Sequence, residues 1–302
     1  MKRYIILIIS ILAFNLFSVN LSGQQMVSFS QYALNKYSVN PAVAGSEAFI
    51  PVNFGYKQYW TGFDNAPLLA EVNMHGAVTH RMGMGGRIFQ FESGPLTKLG
   101  AEFSYAYHIP LSANGLQLGL GLSGQIYQYS LNFNKLTVEN SGDPALSGTA
   151  EQLVVPDAAT GLYLYSRSFY FGAAVYQLLG RTVDMMNPAV EQTQKQHLFL
   201  NTGFRHDFNQ NVSIEPSVLV KLYDPYLYQA EAGFIFTVKP VCIGASYRLD
   251  DSMVILLGTR AGRISFCYSY DYILSGLADF SNGSHELHLG FRINTSKPKL
   301  MD

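Results

Sequence analysis

Residues 115–131 read GLQLGLGLSGQIYQYSL, and this stretch decides the fold class. From Leu116 to Leu122, leucine alternates with glutamine or glycine at every second position. A period of two is typical of a β-strand that has one apolar and one polar face. Residues 284–294 show the same alternation near the carboxyl end of the sequence. The pattern therefore predicts a protein built from strands.

The same alternation predicts fourteen strands between residues 52 and 294. Most of them are about 10 to 13 residues long, roughly twice the usual globular strand and close to the length of a tilted membrane strand. Strands of this length favour an antiparallel transmembrane β-barrel. They are expected at residues 52–63, 67–78, 82–91, 97–109, 115–131, 156–166, 169–179, 195–208, 212–223, 226–238, 241–249, 252–261, 263–274 and 284–294.

Composition excludes several other classes of protein. Only 14% of the 302 residues are charged, against about 25% in soluble domains. A net charge of −1 gives no basic field for nucleic acid, and a mean hydropathy of +0.09 is too low for a bundle of membrane helices. Twenty Tyr, 20 Phe and 27 Gly suit strands and turns.

The amino-terminal residues resemble a secretory signal. Lys2 and Arg3 precede an apolar run over residues 4–17, and small residues before Gln24 offer a cleavage site. We therefore predict a signal peptide over residues 1–23. The alternative is a membrane anchor, for which the run is shorter than the ~20 residues that span a bilayer. A signal peptide implies a secreted, periplasmic or outer-membrane protein.

The lengths of the connections favour the outer membrane. Connections after even-numbered strands are all short, whereas the long ones, at residues 132–155, 180–194 and 275–283, follow odd-numbered strands. Short periplasmic turns and long external loops are typical of up-and-down outer-membrane barrels. We predict such a barrel over residues 52–294, with both termini periplasmic. A secreted β-sandwich is the alternative.

The polar register places charged side chains in the lumen, because a cation on the lipid face would cost about 2 to 4 kcal/mol. The aromatic residues expected to include the interfacial girdles are Tyr56, Trp60, Tyr107, Tyr163, Tyr228 and Tyr270. Cys242 and Cys267 are predicted to be luminal free thiols with one strand between them. The predicted luminal charges are seven cations and six anions: Lys57, Glu71, Arg87, Lys98, Glu102, Arg205, Glu215, Lys221, Glu231, Arg248, Asp271, Glu286 and Arg292.

No motif indicates catalysis or a cofactor. Residues 119–124 match GxGxxG, but they lie within an alternating strand with no helix after it, so no phosphate-binding turn can form. His285 and His288 are three apart on a strand and point to opposite faces, which does not suit a metal. Neither a GxSxG elbow nor a CxxC pair occurs. We predict no enzyme activity, no cofactor and no metal site.

Residues 295–302 are predicted to form a periplasmic tail. Between the signal and the first strand lies a polar segment, residues 24–51, that is also predicted to be periplasmic. This segment contains FSQYALN at 29–35 and NPAVAGS at 40–46, where Asn-Pro and Ala-Gly mark turns. The segment is predicted to contact a periplasmic partner. The alternative is that it plugs or braces the barrel from below.

Together with YKQYWTGFDNAP at 56–67 and the His75-Gly76 pair, these motifs resemble the PorP/SprF family of type IX secretion outer-membrane proteins. The similarity is most distinctive over the first part of the mature chain. This sequence has Lys57, Tyr59 and Asn65 where the family usually has arginine, glutamine and glycine. The candidate partner-binding residues are Phe29, Tyr32, Asn40, Pro41 and Trp60.

The resemblance implies a fourteen-stranded, non-enzymatic barrel in the outer membrane of a Gram-negative bacterium of the Bacteroidota. It implies a role in the type IX secretion and gliding machinery, either linking periplasmic components or anchoring an exported surface protein. The implied partners are outer-membrane lipid, an adhesin with a type IX sorting domain, and a periplasmic peptidoglycan-associated lipoprotein. A channel for a small or apolar solute remains the alternative function.

Overall fold

The computed structural model describes residues 28–132, 151–181, 183, 194–224 and 227–294. Two short 3-10 helices, Lys36–Val39 and Pro41–Val43, precede the strands. The strands are β1 Phe49–Gln58, β2 Leu68–Ala77, β3 Met82–Ser93, β4 Leu96–Pro110, β5 Gln117–Leu131, β6 Glu151–Tyr165, β7 Phe169–Tyr176, β8 His197–Phe204 continued by His206–Asp207, β9 Val212–Asp224, β10 Leu227–Val238, β11 Val241–Arg248, β12 Ser252–Ala261, β13 Ile264–Ile273 and β14 Ser284–Asn294.

Each strand pairs antiparallel with the next, and the first pairs with the last. Phe49 of β1 lies opposite Asn294 of β14, and Gln58 lies opposite His285. The sheet therefore closes into a fourteen-stranded antiparallel barrel, with β8 interrupted at Arg205. The predicted fold class is confirmed.

Some boundaries differ from the sequence-based prediction. β1 covers Phe49–Gln58 rather than 52–63, because Trp60 and Gly62 take positive φ angles of 43° and 106° and turn the chain toward β2. β6 begins at Glu151 instead of residue 156, since its pairing with β5 extends to Leu131. The alternating faces of these strands are unaffected.

The barrel has two distinguishable ends. The turn end carries the short connections 78–81, 111–116, 166–168, 208–211, 239–240 and 262–263, and β1 starts there. The loop end carries the connections that follow odd strands. Residues 133–150 and most of 182–193, where two long loops were predicted, lie outside the described residues.

The outer surface of the barrel is apolar. Ile88, Leu122 and Ile255 are 60%, 60% and 62% exposed, as expected for side chains that face lipid. Tyr163 is an exception to the predicted girdle, because it shares the inward register of β6 and is buried against Tyr165 and Tyr170. Among the described residues no helix has the length and apolar character to cross a membrane.

Candidate functional site, a plug inside the barrel

Residues 28–46, here called the plug, run through the lumen from the loop end to the turn end. At the loop end the Tyr59 hydroxyl donates to the Ser28 carbonyl at 2.7 Å. At the turn end the buried Ser46 is followed by exposed Glu47, and β1 begins two residues later at Phe49. The plug therefore crosses the whole barrel before the first strand starts.

In the loop-end half of the lumen the plug sits on a buried charge network. The Ser30 amide donates to Glu286 Oε2 at 2.7 Å, and its hydroxyl donates to Asp271 Oδ2 at 2.7 Å. Lys57 is 0% exposed and lies 2.8 Å from Asp271 and 3.2 Å from Glu286. Arg248 pairs with Asp271 at 3.3 Å. These residues are the loop-end network, and every charge in it has an opposite partner.

Phe29 and Gln31 complete the loop-end contacts of the FSQY motif. The Phe29 ring covers Gly55, where an added Cβ would lie 2.7 Å from the ring. The Gln31 side chain donates to Ser269 Oγ at 3.0 Å. Tyr32 follows with a hydroxyl contact of 3.1 Å to Ser217. The motif thus binds the plug to strands on several sides of the barrel.

The middle of the plug is held by charges from the wall. Lys36 pairs with Glu215 at 2.8 Å. Arg87 donates to the Ser38 carbonyl at 2.6 Å and pairs with Glu71 at 3.2 Å. A charge that is buried in this way needs such partners, because desolvation alone would exclude it. The wall and the plug therefore neutralise each other.

At the turn end the NPAxAG motif forms a tight turn. Asn40 caps the second 3-10 helix, since its Oδ1 accepts from the Ala42 amide at 2.9 Å, and its Nδ2 donates to the Leu162 carbonyl at 2.9 Å. Pro41 occupies the first helical position, where its missing N–H costs nothing. Gly45 has a φ of +83°. Asn40, Pro41 and Gly45 therefore each have a structural role inside the lumen.

Glycines in the wall make room for this turn. A Cβ on Gly83 would lie 1.9 Å from the Ala44 carbonyl oxygen, and one on Gly121 would lie 2.3 Å from the Ala42 nitrogen. These neighbours are backbone atoms that cannot rotate away. Gly119 and Gly121, in the stretch that matches a phosphate-binding motif in sequence, thus form a smooth wall for the plug.

Four of the five candidate partner-binding residues lie in the plug. Phe29, Tyr32, Asn40 and Pro41 are all buried and contact the barrel, so in this structure they face no exterior surface. Trp60 lies apart from them in the β1–β2 connection, where its amide donates to Ser284 Oγ at 3.0 Å. The five candidates do not form a single surface.

The path of the plug corrects the predicted arrangement of the amino-terminal segment. Residues 28–46 lie in the lumen instead of below the barrel, because the luminal charges and glycines bind them there. As a result, the described chain begins on the loop-end side with Ser28 and ends at the turn end with Asn294. The predicted periplasmic position of the two termini concerns residues outside the described ranges and stays a prediction.

Histidines at the turn end also hold the plug, a role that the sequence analysis did not assign to them. His75 Nδ1 accepts from the Gly45 amide at 3.1 Å, and His108 Nε2 lies 2.9 Å from the Ala44 carbonyl. Their inward register in β2 and β4 was the signal that could have identified them. Asp157, buried in the lumen, was missed because the predicted strand began only one residue before it.

The two cysteines lie on the wall of β11 and β13, with β12 between them. Their sulfurs approach to 3.9 Å because Gly258, which lies between them, has no side chain. Both are free thiols. Within the described ranges, no three His, Cys, Asp or Glu side chains lie where they could share a metal ion.

The family model described as type IX secretion system membrane protein PorP/SprF matches residues 21–291. The chain belongs to the PorP/SprF family. It is therefore an outer-membrane β-barrel protein of the type IX secretion system group, as the motifs suggested. In this PorP/SprF protein the two amino-terminal motifs form the plug. A comparison with curated protein sequences gives no match.

Solved structures similar to this PorP/SprF barrel are outer-membrane proteins. The CymD monoaromatic hydrocarbon channel is 11% identical with a TM-score of 0.50, covering 91% of this chain and 95% of that one. The Ralstonia pickettii toluene transporter TbuX is 12% identical with a TM-score of 0.49, covering 85% and 92%. Acinetobacter baumannii Omp33 is 8% identical with a TM-score of 0.49, covering 82% and 100%. Such low identities show the fold alone.

Proposed function

We propose that this protein is a non-enzymatic, plugged barrel of the type IX secretion and gliding machinery. It works as an interaction protein that links periplasmic components to the machinery or anchors an exported surface protein. In this proposal the turn end is periplasmic and the loop end faces outside. The observation that carries it is the plug, whose residues 29–46 occupy the lumen with almost entirely buried side chains.

The plug contacts argue against an open channel. Asp271 accepts from Ser30, and Glu286 accepts from the Ser30 and Gln31 amides at 2.7 and 3.0 Å. Removing one partner of a buried ion pair costs about 3–5 kcal/mol. Release of the plug would likewise leave Asp271 and Glu286 without the Ser30 and Gln31 donors, so it would need new interactions that offset a free-energy cost of this size. A barrel built in this way supports binding at its two ends better than passage through its centre.

The loop end offers a docking position for a surface protein. The Thr61 amide donates to the Gly283 carbonyl at 2.8 Å, and the Asn282 amide donates to the Thr61 carbonyl at 2.6 Å. These bonds join the β1–β2 and β13–β14 connections. Phe280, on the second connection, is 69% exposed. Exposed large aromatics are common anchors in protein interfaces, and Trp60 lies at the base of the same pair of connections.

Planar bilayer recordings of the purified full chain test the plugged state. We expect no steady conductance of the kind an open porin gives. Sustained wild-type conductance would overturn the proposal and support the alternative, a channel for a small or apolar solute.

Surface display in cells tests the anchoring role. Phe280→Ser should release the exported protein into the medium while the barrel stays heat-modifiable in gels. The matched control is Leu111→Ser, which removes an equally apolar side chain that is 52% exposed at the turn end. Equal release by both variants, or by neither, would contradict a docking position at Phe280.

A further inference from the structure

The two ends of the barrel carry opposite charge. In the loop-end connections, the described charged side chains are mainly acidic, with Asp64, Asp250, Asp251 and Asp279 against Arg181 and Lys195. At the turn end they are mainly basic. The turn-end face, defined by the charged residues of its connections and strand ends, comprises Arg81, Arg167, Arg205, Lys239, Arg260, Arg263 and Arg292, with Glu47 and Asp207 as its acidic members.

The plug leaves one sector of the turn end uncovered. It contacts β13, β14 and β1 near the loop end, then crosses the lumen and ends against β2 to β6. Arg260 of β12 and Arg292 of β14 lie in the inward register of the adjacent sector, on the other side of β1. We call these two residues and the lumen between them the mouth.

Charges in the mouth are poorly neutralised. Arg260 and Arg205 disfavour the charge of Arg292, whereas Glu47 and the Phe49 ring, 4.5 Å from the guanidinium, favour it. Arg205 is already paired with Asp207 at 3.0 Å. Within the part of the chain that the structure describes, no ion pair joins Arg260 or Arg292 to a carboxylate. The mouth therefore has unused capacity for an anion.

Deeper in the same sector lies an unsatisfied polar side chain. His288 is 6% exposed, and neither ring nitrogen has a hydrogen-bond partner among the described residues. A buried polar group without a partner is costly, and a bound ion or polar group that pairs with it is one explanation for its being kept. His288 is thus a second, independent sign that the mouth accepts a ligand.

We propose that the turn-end face is a docking surface for an acidic segment of a protein partner, which enters the mouth between Arg260 and Arg292. This goes beyond the proposed function and names the chemistry of one partner. The rim residues Arg81, Arg167 and Lys239 attract the segment electrostatically, and the two mouth arginines bind its carboxylates directly.

The arrangement suits a peptide better than a lipid or a lone phosphate. Arg260 and Arg292 share the luminal register, so headgroups that surround the outer face do not reach them. The remaining cations lie around the circumference, on the turns after β2, β6, β10 and β12 and, for Arg205, at the break in β8. A single phosphate cannot contact so wide an array, whereas an extended acidic chain can.

Binding of a fluorescent oligoglutamate peptide to the detergent-solubilised full chain tests the proposal. Anisotropy should show binding that weakens as salt is added. The variant Arg260→Gln with Arg292→Gln should bind about tenfold or more weakly, because these charges contact the ligand directly. Arg81→Gln with Arg167→Gln removes the same charge from the rim and should weaken binding less than about threefold, as exposed charges do.

Equal weakening by both double variants would overturn the mouth as the binding site, as would oligolysine binding as strongly as oligoglutamate. Vesicles of anionic phosphatidylglycerol that displace the peptide from the mouth would overturn the choice of a peptide over a lipid. If the Arg260→Gln with Arg292→Gln variant loses its heat-modifiable form, it has a folding defect. In that case Arg260→Lys with Arg292→Lys, which keeps both positive charges, shows whether a folded barrel with a charged mouth still binds the peptide. Peptide binding does not depend on conductance, so this test can fail while the proposed function stands.

Discussion

The loop-end network and the mouth are both charged regions of one lumen, yet they differ in how the charge is neutralised. In the network, Lys57, Asp271 and Glu286 are buried and paired with one another and with Ser30 of the plug. In the mouth, Arg260 and Arg292 lack a carboxylate partner among the described residues. The charged side chains of the loop-end network therefore stabilise the plug, whereas the two arginines of the mouth are available to bind a protein partner.

The position of the amino terminus is the strongest test of this contrast, because the outcome is all or none. A tag placed directly before Ser28 should be labelled from the loop-end side, together with tags at Gly142 and Asn187, which lie in segments outside the described residues. A tag after Asn294 should be labelled from the other side. Antibody labelling of intact and permeabilised cells distinguishes these outcomes.

If the tags before Ser28 and after Asn294 are reached from the same side, the plug does not cross the lumen and the contrast fails.

The next largest effect is expected in the loop-end network. Lys57→Ala leaves Asp271 and Glu286 without their nearest cation. We expect the free energy of unfolding to fall by about 3–5 kcal/mol, since one partner of a buried pair is lost. Urea unfolding of the barrel in lipid vesicles measures this change.

Arg260→Ala is the control for Lys57→Ala, because it removes a cation from the exposed mouth. Its effect on unfolding should stay below about 1 kcal/mol. Similar losses for the two variants would show that the mouth arginines are as structural as the network.

A smaller effect is expected where the plug meets the wall at the turn end. Gly121→Leu should destabilise the barrel by about 1–3 kcal/mol through overpacking, because its Cβ would collide with the Ala42 backbone. We also expect conductance to appear as the plug is displaced. Bilayer recordings and urea unfolding together measure both changes.

Gly124→Leu, on the same strand, is the matched control. Nothing lies within 4 Å of a Cβ at Gly124, which is exposed on the outer face. It should leave the barrel closed. Conductance in the control, or a silent Gly121→Leu, would argue that the wall glycines do not seat the plug.

The smallest change in the free energy of unfolding is expected for a substitution at Gly258, beside the mouth. Gly258→Ala places a Cβ 2.3 Å from Cys267 Sγ and 2.8 Å from Cys242 Sγ. Both sulfurs are ends of side chains that can rotate, so the cost should be about 1 kcal/mol. Gly86→Ala, where the nearest atom is 3.9 Å away, is the control. Urea unfolding of the two variants compares them.

Mass spectrometry without reductant should find both thiols of the wild type free, because β12 separates their strands. A disulfide bridge between Cys242 and Cys267 would mean that β11 and β13 move closer together than they are in this structure, where the two sulfurs are 3.9 Å apart.

The alternation of residues by itself determined the barrel. In β5, Leu118, Leu120 and Leu122 alternate with the luminal residues Gln117, Ser123 and Gln125. The same period predicted the number of strands and the luminal charges. This succeeds because a period of two links each residue to a face, and a register slip would turn cations toward lipid. The end of β1 was not predicted correctly, because the positive φ angle of Trp60 that turns the chain there leaves no periodic signal in the sequence.

Only the tertiary structure decided where the plug lies. FSQYALN and NPAVAGS are polar, aperiodic motifs that suit a periplasmic arm or a luminal plug equally well. The choice depends on contacts between residues far apart in sequence: Ser30 binds Glu286, 256 residues away, and Asn40 binds the Leu162 carbonyl, 122 residues away. Such pairs meet only after the sheet has closed, because closure places the charges and glycines of separate strands around one space.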